Sequence, residues 1–255
     1  MTRLLPPLRT LLPAEHGTWF MLGFPLVLGL LLRPSIASLC LGLAAAAFFL
    51  SRPALRRVLN GQKDPAQLRA LLLLGSLALG MGIATWIFSD FKFLIPLSGI
   101  SPLVFLALRA DLDRAVRSLS VEIAAQGAFA GLAASMLAAG GDTLASAGRA
   151  WLLVTLVGAA NLAYVRRFLA QAHGMSAAEL RQRRIPVHVL HLLLLVASFL
   201  LLATRNQAGA LWTAWTFLLY LRALAPYRPM PARRLGWREG ALSVLGLVLL
   251  WRALL

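Results

Sequence analysis

The sequence predicts an all-α membrane protein, a single domain over residues 1–255 built as a polytopic bundle of about nine transmembrane spans, with the N-terminus inside and the C-terminus outside. Three observations carry that expectation. The 255 residues are 60% hydrophobic and only 13% charged, whereas a soluble domain of this length needs a far larger polar surface. Nearly the whole chain divides into apolar runs long enough to cross roughly 30 Å of hydrocarbon, and these runs are apolar all round instead of striped. The 25 Lys and Arg residues alternate in placement: Arg33, Lys92, Arg149, Arg205 and Arg252 fall on one side and the other twenty on the opposite side. That is the bias of cytoplasmic against external loops, and merging or dropping one helix would scramble it.

Residues 1–14 form a basic, proline-containing arm with Arg3 and Arg9, expected on the cytoplasmic side. The start lacks a small-residue cleavage site after a short apolar core, so the first span is expected to be retained. Helix 1 is predicted over about 16–32, with Pro25 as a kink and Arg33-Pro34 as its stop. Helix 2 covers about 35–51 and exits through Ser51-Arg52-Pro53-Ala54-Leu55-Arg56-Arg57. A turn at Asn60-Gly61 and a helix start at Pro65 introduce helix 3, whose span is about 69–88. Helix 4, about 91–108, contains Pro96, Gly99 and Pro102 and is the segment expected to bend. Helix 5, about 118–138, carries Glu122 and Gln126 one turn apart and Gly127-x-x-x-Gly131 as a packing stripe.

Helix 6 is predicted over about 149–168 and ends with Asn161, Tyr164, Arg166 and Arg167. The longest connector, 170–184, includes a polar helical piece near Met175 to Arg183. Helix 7, about 187–204, begins with His188 and His191 on one side. Helix 8, about 208–225, places Trp212 and Trp215 near its start as interfacial anchors. Helix 9, about 239–254, follows the leading edge Leu235-Gly236-Trp237-Arg238-Glu239.

A formal charge of +16 invites a nucleic-acid reading, but the arginines stand in connectors between apolar runs, where they face anionic lipid. No nucleic-acid partner is expected; membrane lipids are. The single cysteine, Cys40, sits within an apolar run, which leaves no disulfide framework or thiolate site. The sequence contains no His-Glu-x-x-His, phosphate-loop, Gly-x-Ser-x-Gly or dinucleotide motif. No metal site is assigned, and Asp111-Leu112-Asp113 is too short and too arginine-flanked to argue for magnesium. The cofactor is left unknown.

Seven of the nine acids fall on the cytoplasmic side, with only Asp90 and Asp142 outside. Groups able to act as acid, base or anion clamp therefore gather at one set of helix ends. Glu15-His16 with Trp19 reads either as an acid–imidazole pair at a cavity mouth, the candidate catalytic residues, or as a helix cap with an interfacial aromatic. Arg52 and Arg56 at the end of helix 2, with Asn161, Tyr164 and Arg167 at the end of helix 6, make a two-sided phosphate or carboxylate clamp if those ends converge. The other reading is ordinary positive-inside arginine. Glu122 joins the candidate ligand-binding set because it lies deeper than a loop residue.

Together, Glu15-His16-Gly17-Thr18-Trp19, Ser51-Arg52-Pro53-x-x-Arg56, Glu122, Tyr164-Val165-Arg166-Arg167 and Leu235-Gly236-Trp237-Arg238-Glu239 resemble the YwiC-like bacterial membrane protein family. The likeness covers most of the chain, implies a multi-pass protein of the bacterial inner membrane, and brings no reaction with it. A more distant resemblance, to the intramembrane aromatic prenyltransferases, implies nine helices with polar sites at the cytoplasmic ends of helices 2 and 6. Those enzymes hold magnesium and a prenyl diphosphate with Asp-rich motifs, where this chain has arginine, asparagine and tyrosine. The functional expectation is a protein that binds or processes an isoprenoid or lipid phosphate in a cavity open to the cytoplasm. A small-solute transporter and a non-catalytic membrane assembly factor are the alternatives.

Overall fold

The computed structural model describes residues 16–62, 64–112, 118–203, 205–226 and 230–255, and among these residues every regular element is helical. Nine α-helices follow in chain order: α1 His16–Leu32, α2 Ile36–Leu59, α3 Pro65–Phe88, α4 Leu94–Leu112, α5 Leu119–Ala139, α6 Leu144–Ala172, α7 Ala177–Ser198, α8 Gln207–Leu224 and α9 Ala232–Leu254. A 3₁₀ turn, Phe91–Phe93, leads into α4, and a π-turn, Phe199–Ala203, continues α7. Short polar residues start most of them. Ser35, Asp64, Ser118, Thr143 and Asn206 each accept a bond from a first-turn backbone N–H. Ser176 and Glu179 form a reciprocal capping box at α7, satisfying donors that a helix start leaves open. Gly61, Gly141 and Gly174 close three of the turns with positive φ, a conformation that costs glycine least.

Among the described residues six helices are long and apolar enough to cross a membrane: α2, α3, α4 with its 3₁₀ turn, α5, α6, and α7 with its π-turn. The 17-residue α1 is apolar but short. In α9 the charges of Arg238, Glu239 and Arg252 interrupt the apolar run.

Several helices run past their expected ends. α2 continues through Pro53 to Leu59, so Arg52, Arg56 and Arg57 stand on a helix and not in a connector. Proline removes a donor from the ladder, and beside it Ser51 Oγ donates to the Phe48 carbonyl at 2.7 Å. The polar piece expected before helix 7 is its own first turns, continuous through Pro186. α9 begins at Ala232, which sets Glu239 two turns inside the helix instead of at its edge. The sharpest correction concerns the tryptophans of α8. Trp212 is fully buried and Trp215 nearly so, with their rings 4.9 Å apart and Trp212 Nε1 donating to Ser198 Oγ at 2.9 Å. An indole N–H that finds a partner on a neighbouring helix belongs in a core as readily as at an interface.

α1, α5, α6, α7, α8 and α9 close a ring in which each packs on the next and α9 returns to α1. The ring is filled. Leu28, Leu153, Leu194, Trp212 and Leu250 come from five of its helices and are all wholly buried. Outside it, α2 packs on α1 and α5, α3 on α2, and α4 on α5. α5 is buried nearly all round because it is flanked by α1, α2, α4 and α6, and its small residues allow that crowding. A Cβ at Gly131 would collide with Ile100 of α4, and one at Gly127 would press on Leu103 at 3.1 Å. The Gly127-x-x-x-Gly131 stripe therefore seats α4.

Candidate functional site

One end of the ring collects the starts of α1, α5, α7 and α9 with the ends of α6 and α8. Two arginines and an acid interlock there. Arg222, in the last turn of α8, donates from Nη1 to Glu239 Oε2 at 2.7 Å. Arg238 donates from Nε and Nη2 to Oε1 at 3.1 and 3.0 Å, so both carboxylate oxygens are engaged. The Glu239 side chain is only 8% exposed, a depth at which a carboxylate needs paired, hydrogen-bonded partners. Arg238 Nη2 also donates to the Tyr164 hydroxyl at 2.7 Å. The Arg222 guanidinium lies over the Tyr164 ring, 4.1 Å from its centroid, so the phenol binds one arginine through its face and the other through its oxygen.

Beside this cluster opens a cavity of about 260 Å³, lined by Tyr164, Arg167 and Gln171 of α6, Arg222 of α8 and Arg238 of α9. Arg167 is anchored through Nη1 to the Ala223 carbonyl at 3.1 Å. Nε and Nη2 of Arg222 are buried and have no hydrogen-bond partner among the described residues. These two nitrogens share one edge of the guanidinium, the edge that grips two oxygens of a single phosphate or carboxylate. Two buried acceptors, Asn161 Oδ1 and His191 Nε2, likewise lack a partner among the described residues. Asn161 is one turn before Tyr164 on α6, and His191 stacks on Tyr220 at 6.2 Å with Nδ1 bonded to the Val187 carbonyl at 2.8 Å.

A second cavity, about 340 Å³, lies on the other side of Arg167 and is lined by Arg166, Glu179, Arg183, Leu119 and Pro186 among others. Arg166 donates from Nη1 to Glu122 Oε2 at 2.6 Å. Gln126 donates to the Val154 carbonyl at 3.2 Å and fills the space over Gly158, so it acts between helices. His188 and His191 both face Tyr220, and His188 accepts from Arg184 Nε at 2.9 Å. Among the described residues no three His, Cys, Asp or Glu side chains stand together as metal ligands.

The residues expected from sequence are thus distributed unevenly. Tyr164 and Arg167 line the first cavity, Asn161 lies one turn deeper, and Glu122 is tied to Arg166 on the far side of Arg167. Arg52 and Arg56 are elsewhere. α2 packs on α1, α3 and α5, outside the ring, and the Arg52 guanidinium sits 5.6 Å from the centroid of the Phe49 ring. Glu15 lies outside the described residues, as does the His16 side chain. Their neighbours locate the approach to α1: Trp19 packs edge-on against Phe49 of α2 at 5.8 Å, and Phe20 lies where a Cβ on Gly240 of α9 would meet it at 2.8 Å. Arg222, Arg238 and Glu239 were not among the expected site residues. Their signal was present in the chain, as an arginine–acid pair just inside the last apolar run, but the arginine that completes it is seventeen positions away.

A family model described as YwiC-like protein matches residues 12–139, half of the chain, from the approach to α1 through the end of α5. No curated protein matches the chain, and no solved structure does.

Proposed function

The chain belongs to the YwiC-like family, and from that premise we propose that it binds the phosphate head of an isoprenoid or other lipid in the cavity at the arginine-rich end of the ring. The observation that carries this reading is the unpaired edge of Arg222. Among the described residues two buried guanidinium donors of Arg222 have no acceptor, Arg222 is one of the residues lining the cavity, and each buried unpaired donor costs about 1–3 kcal/mol. A phosphate that supplies two oxygens to that edge removes the cost, with Arg167 and Arg238 close enough to share its charge. Arg222 and Arg238 take the place in the clamp that sequence reasoning gave to Arg52 and Arg56.

The protein is proposed to cross the bacterial inner membrane nine times, with its N-terminus and the cavity inside and its C-terminus outside. The charge pairs support this alternation: Arg33 bonds Asp142 at 3.2 Å and Lys92 lies 3.7 Å from Asp90, while Glu122 and Glu239 pair with arginines assigned to the inner side. Glu15 and His16 enter the proposal as proton-handling groups on their residue types alone, an acid–imidazole pair at the entry to α1. The distant likeness to prenyltransferases extends to helix count and to polar helix ends, and no magnesium-dependent step is built on it.

A transporter needs a polar route between the two ends, and the ring is filled instead by Leu28, Leu153, Trp212 and Leu250. An assembly factor needs a partner in place of a ligand. Lipid extracted with the purified protein separates these readings. Phosphorylated species should be enriched over the host membrane, and Arg222→Gln should abolish the enrichment. A parent protein that carries no such enrichment, or a stoichiometric protein partner in its place, would overturn the proposal.

A further inference from the structure

We infer that the cavity selects a phosphomonoester, which carries two negative charges, over a phosphodiester, which carries one. The inference rests on the reading of this cavity as a phosphate site and adds the class of headgroup. It follows from a charge count. Three guanidiniums line the cavity, those of Arg167, Arg222 and Arg238. Among the described residues Glu239 is the one carboxylate in contact with any of them. Glu239 has both oxygens taken by Arg222 and Arg238, so its charge is already spent on the cluster. Arginine keeps its proton under all ordinary conditions, which leaves the group at two positive charges. Arg184 adds to the positive potential at Arg167.

The two nearest other acids among the described residues do not lower this count: Glu122 pairs with Arg166, and Glu179 is held by Ser176 in the α7 cap. An excess of two charges beside a low-dielectric interior is neutralised by a dianion and only half neutralised by a monoanion. The donors suit the same guest. Arg222 has two donors, Nε and Nη2, without a partner among the described residues, and Arg167 and Arg238 line the same cavity. A terminal phosphoryl group offers three oxygens to them, a diester two.

The test uses the full chain in nanodiscs of phosphatidylcholine carrying either phosphatidic acid or phosphatidylglycerol with the same acyl chains, at about pH 8, where a phosphomonoester is close to doubly ionised. Bound lipid is counted by native mass spectrometry. The monoester should be retained about tenfold or more over the diester. Arg167→Gln, which removes one charge and leaves the Glu239 cluster whole, should bring the ratio to about threefold or less. Arg252→Gln, at the opposite end of α9, should leave the ratio unchanged and so separates cavity charge from net charge. If both lipids are retained equally, the class inference fails while the phosphate reading stands. If neither is retained above phosphatidylcholine, the phosphate reading itself fails. If Arg167→Gln keeps the parent's ratio, the charge count is not what selects.

Discussion

Two arginine-bearing ends of this protein look alike in sequence and differ in structure. At the end of α2, Arg52 rests beside the ring of Phe49. At the end of α8, Arg222 rests over the ring of Tyr164. In both places an arginine near the close of an apolar helix meets an aromatic side chain. Phe49, however, has no hydroxyl, and it sits on α2, outside the ring. Tyr164 sits within the ring and offers a face and a hydroxyl, and Glu239 reaches both flanking arginines. The difference teaches how a buried acid from another helix, Glu239, fixes an arginine while two of its donors, Nε and Nη2, stay without a partner among the described residues. The comparison also divides the chain. The family model ends at residue 139, and all the residues named as lining the first cavity come after it.

The largest expected effect is the removal of the shared acid. Glu239→Ala leaves Arg222 and Arg238 facing each other with no counter-charge, and breaking a buried pair by removing one partner costs about 3–5 kcal/mol. The thermal midpoint in detergent should fall steeply, and further than it does for Arg52→Ala. Equal falls would erase the distinction between the two ends. Next comes Tyr164→Phe, which keeps the face under Arg222 and removes the acceptor of Arg238 Nη2. The loss should be about 1.5–3 kcal/mol, the range for a hydrogen bond to a charged group. A value near zero would show that the face alone does the work and that Tyr164 resembles Phe49 after all.

Much of the fold was legible because hydrophobic run length and arginine placement are local signals. The nine helices fall where apolar runs do, and the Gly127-x-x-x-Gly131 stripe seats a neighbour as expected. What escaped was whatever depends on which helices meet. Helix 2 reads as ending at about 51 and helix 7 as beginning at about 187 because the apolar runs stop there, whereas α2 continues to Leu59 and α7 begins at Ala177. Trp212 and Trp215 read as interfacial because tryptophan favours that zone, yet closure of the ring by α9 puts them inside. The candidate clamp was half legible for the same reason. Tyr164 and Arg167 stand out at the end of helix 6 by residue type, but that Arg222 stands beside them depends on ring closure, which no spacing along the chain encodes.

The smallest effect is the most discriminating test of burial as the deciding variable. Glu122 and Arg166 form a short ion pair at the same end as Glu239, but with side chains 21% and 26% exposed. Arg33 and Asp142 form another at the opposite end, with 50% and 15% exposed. Geometry alone ranks the Glu122 pair with the Glu239 cluster, since its 2.6 Å separation is as tight as any there. Exposure ranks it between that cluster and the Arg33 pair, because water and side-chain entropy offset most of the Coulomb gain of accessible pairs. Glu122→Gln should therefore cost about 1 kcal/mol and Asp142→Asn about 0.5 kcal/mol or less, both within the surface range. Both should weaken further in salt, because accessible charges are screened, while the effect of Glu239→Ala should stay nearly constant. A double-mutant cycle on Glu122 and Arg166 that returned a coupling as large as the Glu239 effect would mean that pair is sealed from water, and the second cavity would then have the same claim on a ligand as the first.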